Sequence, residues 1–187
     1  HFVYGLCESA REQVRSAHDV ANPGCFATAI QLATLPLAAA GLINDEVHVT
    51  AITGSTGAGK KPGETTHFSY RSDNISIYKL FSHQHLAEIK QNLVMVYPHE
   101  QESAPVVNFV PLRGDFARGI FASVYTRAAE GMSQEDYRKI FEDYYADSPF
   151  VFHSNEGISM KEVVNTNKGL VHVELHDGYV HIASAID

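Results

Sequence analysis

The stretch Ala21-Asn22-Pro23-Gly24-Cys25-Phe26-Ala27-Thr28 joins a charged segment to a long uncharged one. Upstream lies a helix-like run carrying Glu8, Arg11, Glu12 and Arg15, followed by Asp19-Val20-Ala21. Downstream, residues 26–40 carry no charge and are rich in Ala and Leu, the pattern of a buried helix. Asn-Pro-Gly between them reads as a turn: Pro fixes φ, Gly supplies φ > 0, and Asn tolerates turn conformations. Cys25 therefore falls where a turn becomes the first turn of a helix. The free N–H groups and positive dipole end there favour a thiolate, and the same donors could hold an oxyanion. A free cysteine is equally a small hydrophobe that packs in cores. The stretch alone leaves buried thiol and nucleophile both open.

The 187 residues suffice for one well-cored domain and not for two generous ones. A 44% hydrophobic, 19% charged composition is that of an ordinary globular protein. The net charge of −8 speaks against nucleic acid or an anionic membrane as main partner, and no basic cluster exceeds Lys60-Lys61. The longest apolar run, 26–40, contains Gln31 and Pro36 and falls short of the roughly 20 residues of a membrane span. Cys7 and Cys25 make no disulfide framework, so the expectation is reduced thiols in a cytoplasmic protein. The chain opens with His1-Phe2-Val3-Tyr4 rather than Met and stops on a strand-like run ending Ile186-Asp187. Both ends read as cut, and residues 1–187 as a single domain of a longer protein.

Gly41-Leu42 marks the stop of the uncharged helix. Residues 46–53 form a strand by their β-branched content and partial alternation, and lead into the glycine-dense loop 54–63. Further strands are expected over 74–81, 105–111, 119–128 and 150–153, with helices over 82–95 and 133–146. Ser133 is an N-cap, with Asp136 at the capping-box position. Residues 170–176 and 179–185 close the chain as a hairpin about Asp177-Gly178. Strands outnumber helices and mostly follow one another, which gives an α+β class: a mixed, largely antiparallel sheet with helices packed on it.

The loop Gly54-Ser55-Thr56-Gly57-Ala58-Gly59-Lys60 nearly spells a phosphate-binding P-loop. Lys61, however, replaces the hydroxyl that would hold Mg²⁺, and Pro62-Gly63 follow where a helix must begin, so an NTPase is disfavoured. The loop either offers backbone N–H groups to an anion, with Lys60 adding charge, or is a flexible turn. His83 and His85 stand two apart, which on a helix separates them by about 200° and on an extended segment would let them share a metal. With two cysteines and no clear third ligand, no metal site is expected. A histidine at a helix start also suits the role of base to a cysteine elsewhere. Arg113 and Arg118 flank a glycine-marked turn, where either is a surface charge or a bidentate grip for a carboxylate.

In order along nearly the whole chain, these segments resemble the N-acetyl-gamma-glutamyl-phosphate reductase family. Val3-Tyr4-Gly5-Leu6-x-Glu8 is similar to its Tyr-Gly-Leu-Pro-Glu, with Cys7 for Pro. Asn22-Pro23-Gly24-Cys25-Phe26-Ala27-Thr28 resembles its Asn-Pro-Gly-Cys-Tyr-Pro-Thr. Thr53-Gly54-Ser55-Thr56-Gly57-Ala58-Gly59-Lys60 is similar to Ser-Gly-x-Ser-Gly-Ala-Gly-Arg, His83-Gln84-His85-Leu86-Ala87-Glu88-Ile89 to His-x-His-x-Pro-Glu-Ile, and Arg118-Gly119-Ile120 to Arg-Gly-Ile. The resemblance implies a fold like the C-terminal domain of glyceraldehyde-3-phosphate and aspartate-semialdehyde dehydrogenases. The NADP-binding Rossmann domain and a C-terminal helix would then lie outside this chain.

It also implies NADPH-dependent reduction of an N-acylglutamyl 5-phosphate, acetyl or succinyl, to the 5-semialdehyde in arginine biosynthesis. Cys25 would be the nucleophile and His85 the acid/base, with His83, Glu88 and Asn22 behind them. Arg118, or Arg113, would hold the substrate carboxylate, and Gly57, Ala58, Gly59 and Lys60 would face nicotinamide or phosphate. A homo-oligomer is implied. The alternatives are a dimerising, substrate-binding module without activity of its own, and a related semialdehyde dehydrogenase with another acyl phosphate.

Overall fold

The computed structural model describes residues 2–98 and 104–187. Its centre is helix α2, Cys25–Ala39, in which nearly every residue from Phe26 to Ala38 is buried. A helix apolar all round can be stable only inside a protein, and α2 is wrapped on one side by sheet and on the others by helices. Pro36 sits inside it. Proline has no N–H to give the carbonyl four residues back, which is that of Leu32. The buried Tyr145 hydroxyl donates to that carbonyl at 2.6 Å.

The remaining elements, in chain order, are β1 (Val3–Tyr4), α1 (Cys7–Ser16), β2 (Val20–Ala21), β3 (Val47–Thr53) and the short α3 (Phe68–Arg71). After them come β4 (Ser76–Ile77), α4 (His85–Val96), β5 (Val107–Arg113), β6 (Ile120–Arg127), α5 (Gln134–Tyr145), β7 (Val151–His153), β8 (Gly169–His176) and β9 (Tyr179–Ile186). Seven strands form one sheet in the order β4-β5-β3-β6-β9-β8-β7. The pairs β3–β5 and β7–β8 are parallel and the others antiparallel, so the sheet is mixed and largely antiparallel, as its sequence pattern implies. On the inner face, Val49, Phe109, Val124, Ile182 and Val173 pack against α2, α4 and α5. The alternating outer positions include Ile52, Leu112, Phe121, Tyr125 and Leu170, all partly or fully exposed. Among the described residues, no helix is long and apolar enough to cross a membrane.

Ser133 caps α5 as expected: its hydroxyl accepts from the Asp136 N–H at 3.2 Å, and Asp136 accepts from the Ser133 N–H at 2.8 Å. Two expectations change. The strand expected over 74–81 shrinks to Ser76–Ile77: Lys79 and Phe81 take left-handed backbone angles, φ 49° and 54°, which break the regular ladder. Past β4 the chain stays on β5 through isolated bonds from the Tyr78 N–H to the Pro111 carbonyl and the Phe81 N–H to the Phe109 carbonyl, each 3.1 Å. The helix expected from Ser82 begins at His85, leaving His83 in the turn before it. The short β1 and β2 pair with each other in a separate parallel sheet, and Gly5 N–H donates to the Ala21 carbonyl at 2.8 Å. That pairing clasps the chain just before Asn22-Pro23-Gly24.

Candidate active site

Cys25 is the first residue of α2, and its side chain is exposed. Here the sequence leaves two options open, and the buried one is lost. The turn before it works differently from the expectation. Gly24 has φ −67°, an angle that any residue adopts, so the glycine is not needed for its backbone. It is needed for room. A Cβ at position 24 would lie 2.4 Å from His85 Nε2 and 2.7 Å from Glu88 Oε1.

His85 and Glu88 therefore press against the backbone beside Cys25, one turn apart at the start of α4. Glu88 Oε2 accepts from the Gly24 N–H at 3.0 Å and from the Tyr4 hydroxyl at 2.8 Å. Its Oε1 lies 4.0 Å from His85 Nε2. Burial lowers the His85 pKa, with Glu88 pulling it up and Lys79 pushing it further down. His85 Nδ1 is buried with no hydrogen-bond partner among the described residues.

His83 is packed differently. Its ring meets Phe26, Phe109, Tyr78 and His85 edge-on, and burial, with His85 beside it, brings its pKa down to about 4. Its Nδ1 accepts the His85 backbone N–H at 3.3 Å, which puts the ring proton on Nε2 and leaves a neutral, fixed imidazole. Of the two histidines, His85 is the one whose ring adjoins residue 24 and the Glu88 carboxylate. No group of three or more His, Cys, Asp or Glu among the described residues is placed to hold a metal.

On its other side Cys25 opens into a cleft of about 250 Å³, shared with Thr53, Gly54, Gly57, Arg118 and Asp187. Gly54 is buried, and a Cβ there would meet the Ala117 carbonyl at 2.6 Å. Only Gly57 of the expected loop residues lines this cleft; Ala58, Gly59 and Lys60 lie outside its lining and are exposed. Arg118 does line it, but its guanidinium is held by Asp187 in a bidentate pair of 2.7–3.0 Å. Arg113 stacks on the Tyr78 ring at 4.6 Å and has its Nε buried with no hydrogen-bond partner among the described residues. Asn22 is exposed, and its side-chain N–H donates to the neighbouring Pro23 carbonyl at 3.2 Å. Sequence reasoning passed over Tyr4, Tyr78 and Asp187. Tyr78 lies close enough to both Cys25 and Arg113 for each to act on its phenol, whose pKa burial raises. The one available signal was the position of Tyr4 within the quoted Tyr4-Gly5-Leu6 motif.

The other thiol, Cys7, faces a larger groove of about 720 Å³ with Glu8, Tyr144 and Asp147, and no histidine lines it. An exposed thiol at a helix start, backed by an imidazole and a carboxylate and opening on an arginine-bearing cleft, is equipped for nucleophilic acyl chemistry.

The chain belongs to the semialdehyde dehydrogenase family: the model of its dimerisation domain matches residues 25–187. Over 186 residues the chain is 50% identical to the N-acetyl-gamma-glutamyl-phosphate reductase of Parabacteroides distasonis, with 100% of this chain and 56% of that protein covered. It is 46% identical to the protein of the same name from Flavobacterium johnsoniae, at the same coverage. The chain spans about half the length of the curated relatives it matches. The fold is shared with aspartate semialdehyde dehydrogenase II of Vibrio cholerae, at a TM-score of 0.70, 16% identity, and 100% and 63% of the two chains covered. The aspartate semialdehyde dehydrogenase of Francisella tularensis gives 0.73, 10%, 100% and 66%.

Proposed function

We propose that this chain is the catalytic and dimerisation domain of an N-acetyl-gamma-glutamyl-phosphate reductase, which reduces N-acetyl-L-glutamyl 5-phosphate to the 5-semialdehyde. The observation that carries the reading is the exposed Cys25 thiol at the start of α2, with His85 pressed against residue 24 behind it. Relatives of that name at about half identity support the substrate.

The Cys25 thiolate attacks the acyl carbon. The carbonyl oxygen gathers negative charge at the first-turn N–H groups of α2, the C–O bond to phosphate breaks, and phosphate leaves with the electron pair. A thioester remains on Cys25. A nicotinamide, when bound, supplies a hydride to its carbonyl carbon. His85 gives a proton to the oxygen as charge develops there, forming a hemithioacetal. It then takes the hydroxyl proton back as the C–S bond breaks, which releases the aldehyde and restores the thiolate. Glu88 sets the charge beside His85 from 4.0 Å, and Arg118 is positioned to receive the substrate carboxylate if Asp187 yields the fork.

A cleft of about 250 Å³ is smaller than the roughly 300–1,000 Å³ typical of ligand sites. It suits the acyl phosphate and the edge of a nicotinamide ring, while the rest of NADP requires a domain outside residues 1–187. The part-exposed outer sheet face, with Ile52, Leu112, Phe121 and Leu170, supports a homo-oligomer.

The test is acyl transfer followed by mass spectrometry in the full-length enzyme. Cys25→Ser should reduce turnover by about 10⁴-fold or more and abolish the covalent acyl adduct on residue 25. Normal turnover in that variant would end the reading. The 187-residue chain alone is expected to form the adduct without oxidising NADPH.

A further inference from the structure

We propose that Tyr4 is a positioning residue for His85, acting through Glu88. The inference rests on His85 as the acid/base of the proposed reaction, and it concerns a residue outside the 25–187 segment that the family model matches. Tyr4 arrives from β1, whose pairing with β2 already clasps the chain before Gly24. Its hydroxyl donates to Glu88 Oε2 at 2.8 Å and accepts from Gln31 Nε2 at 2.7 Å.

Gln31 is fully buried in α2 and also donates to the Ala27 carbonyl at 3.0 Å. Its Oε1 accepts from Asn92 of α4, which in turn exchanges hydrogen bonds with Ser9 of α1. A continuous polar chain thus runs from α1 through α4 and α2 to the phenol. Because Gln31 donates to the phenol oxygen, the phenol proton is directed at the carboxylate.

The consequence lies in how the carboxylate is divided. Oε2 takes two donors, Tyr4 O–H and Gly24 N–H, and so it is held on the far side from the imidazole. Oε1 is left facing His85 Nε2 at 4.0 Å, too long for a hydrogen bond. The charged groups acting on His85 are Glu88 on its own helix and Lys79 from the segment before it, with the His83 ring edge-on at 4.5 Å. Of these, only Glu88 favours the protonated ring. Holding its charge back toward Tyr4 and Gly24 keeps His85 a weak base, able to return its proton to a developing alkoxide. Without the phenol donor the carboxylate would swing toward Nε2 and bind the imidazolium more tightly.

The experiment is an NMR pH titration of the His85 ring in the full chain, assigned by the resonance missing in His85→Gln. It needs neither substrate nor cofactor, so its outcome is independent of the reductase reading. Tyr4→Phe keeps the ring and removes only the hydroxyl. It should raise the proton affinity of His85 by about three- to tenfold. In a Glu88→Gln background the same substitution should leave the His85 titration where it was. Should Tyr4→Phe not fold, Gln31→Met, which frees the phenol proton to turn away, should produce a smaller rise in the same direction. An unchanged or lowered affinity in a folded variant, or an equal rise without the Glu88 carboxylate, overturns the proposal.

Discussion

Two glycine-bearing loops flank the Cys25 thiol, and they are built on opposite principles. The Asn22-Pro23-Gly24 loop is clamped: β1–β2 pairing holds its approach, Glu88 accepts the Gly24 N–H, and the space a Cβ would fill is taken by His85 and Glu88. The Gly54–Gly63 loop is tied to the neighbouring 116–119 segment at its start and to Thr66 at its end. Gly54, Ser55 and Thr56 N–H groups donate to the carbonyls of Gly119, Phe116 and Ala117, after which Gly57 to Gly63 lie exposed. Gly59 has φ +80° and nothing within 4 Å of a Cβ built on it. One glycine is required for space and the other for backbone angle. The first loop meets the imidazole, and the second meets the cleft beside Cys25 through Gly54, Thr56 and Gly57.

The sharpest way to break this contrast is Gly24→Ala. The methyl group would displace His85 and Glu88, and misplacement of a reacting group by about 1 Å costs on the order of 100-fold in turnover. Steady-state kinetics of the full-length variant with normal turnover would refute the spatial role of Gly24.

Acid should loosen the clamped side next. The His83 pKa is about 4 when folded, against 6.5 for a free imidazole, so between these values the unfolded chain binds more protons. Stability from this residue is complete above about pH 6.5 and is lost as pH falls toward 4, by on the order of 2 kcal/mol. The lowered pKa values of His85, His153 and His181 act in the same direction. Urea midpoints at pH 7.5 and pH 4.5 check this. A higher midpoint in acid would contradict it.

The smallest effects belong to the open loop. Gly59→Ala should cost about 1–3 kcal/mol through backbone strain alone, with turnover near that of the parent at a temperature where both are folded. Lys60→Ala should change KM by less than about twofold, because its side chain is outside the cleft lining. A large KM rise for Lys60→Ala would place the phosphate on this loop after all and erase the contrast.

Much of the site was legible because it is local. A turn followed by an uncharged helix put Cys25 at a helix start, and His85 with Glu88 three residues on placed both at the opening of α4. The role of Arg118 was harder to read. Its partner Asp187 lies 69 residues away in sequence and meets it because β6 and β9 pair side by side. Residues 74–81 have strand-like composition, yet left-handed angles at Lys79 and Phe81 break the ladder to β5 into isolated bonds, and Tyr78 comes near both Cys25 and Arg113.

The sequence by itself determined the thiol at its helix start, the order of motifs and the α+β class, since each depends on neighbours within a few residues. Only the tertiary structure decided why residue 24 is glycine, which histidine faces the Glu88 carboxylate, and that Tyr4 bonds to that carboxylate. These facts depend on three separate elements, β1, α2 and α4, meeting around a few ångströms of shared space. A linear pattern records which residues are present, but packing decides which of their atoms touch.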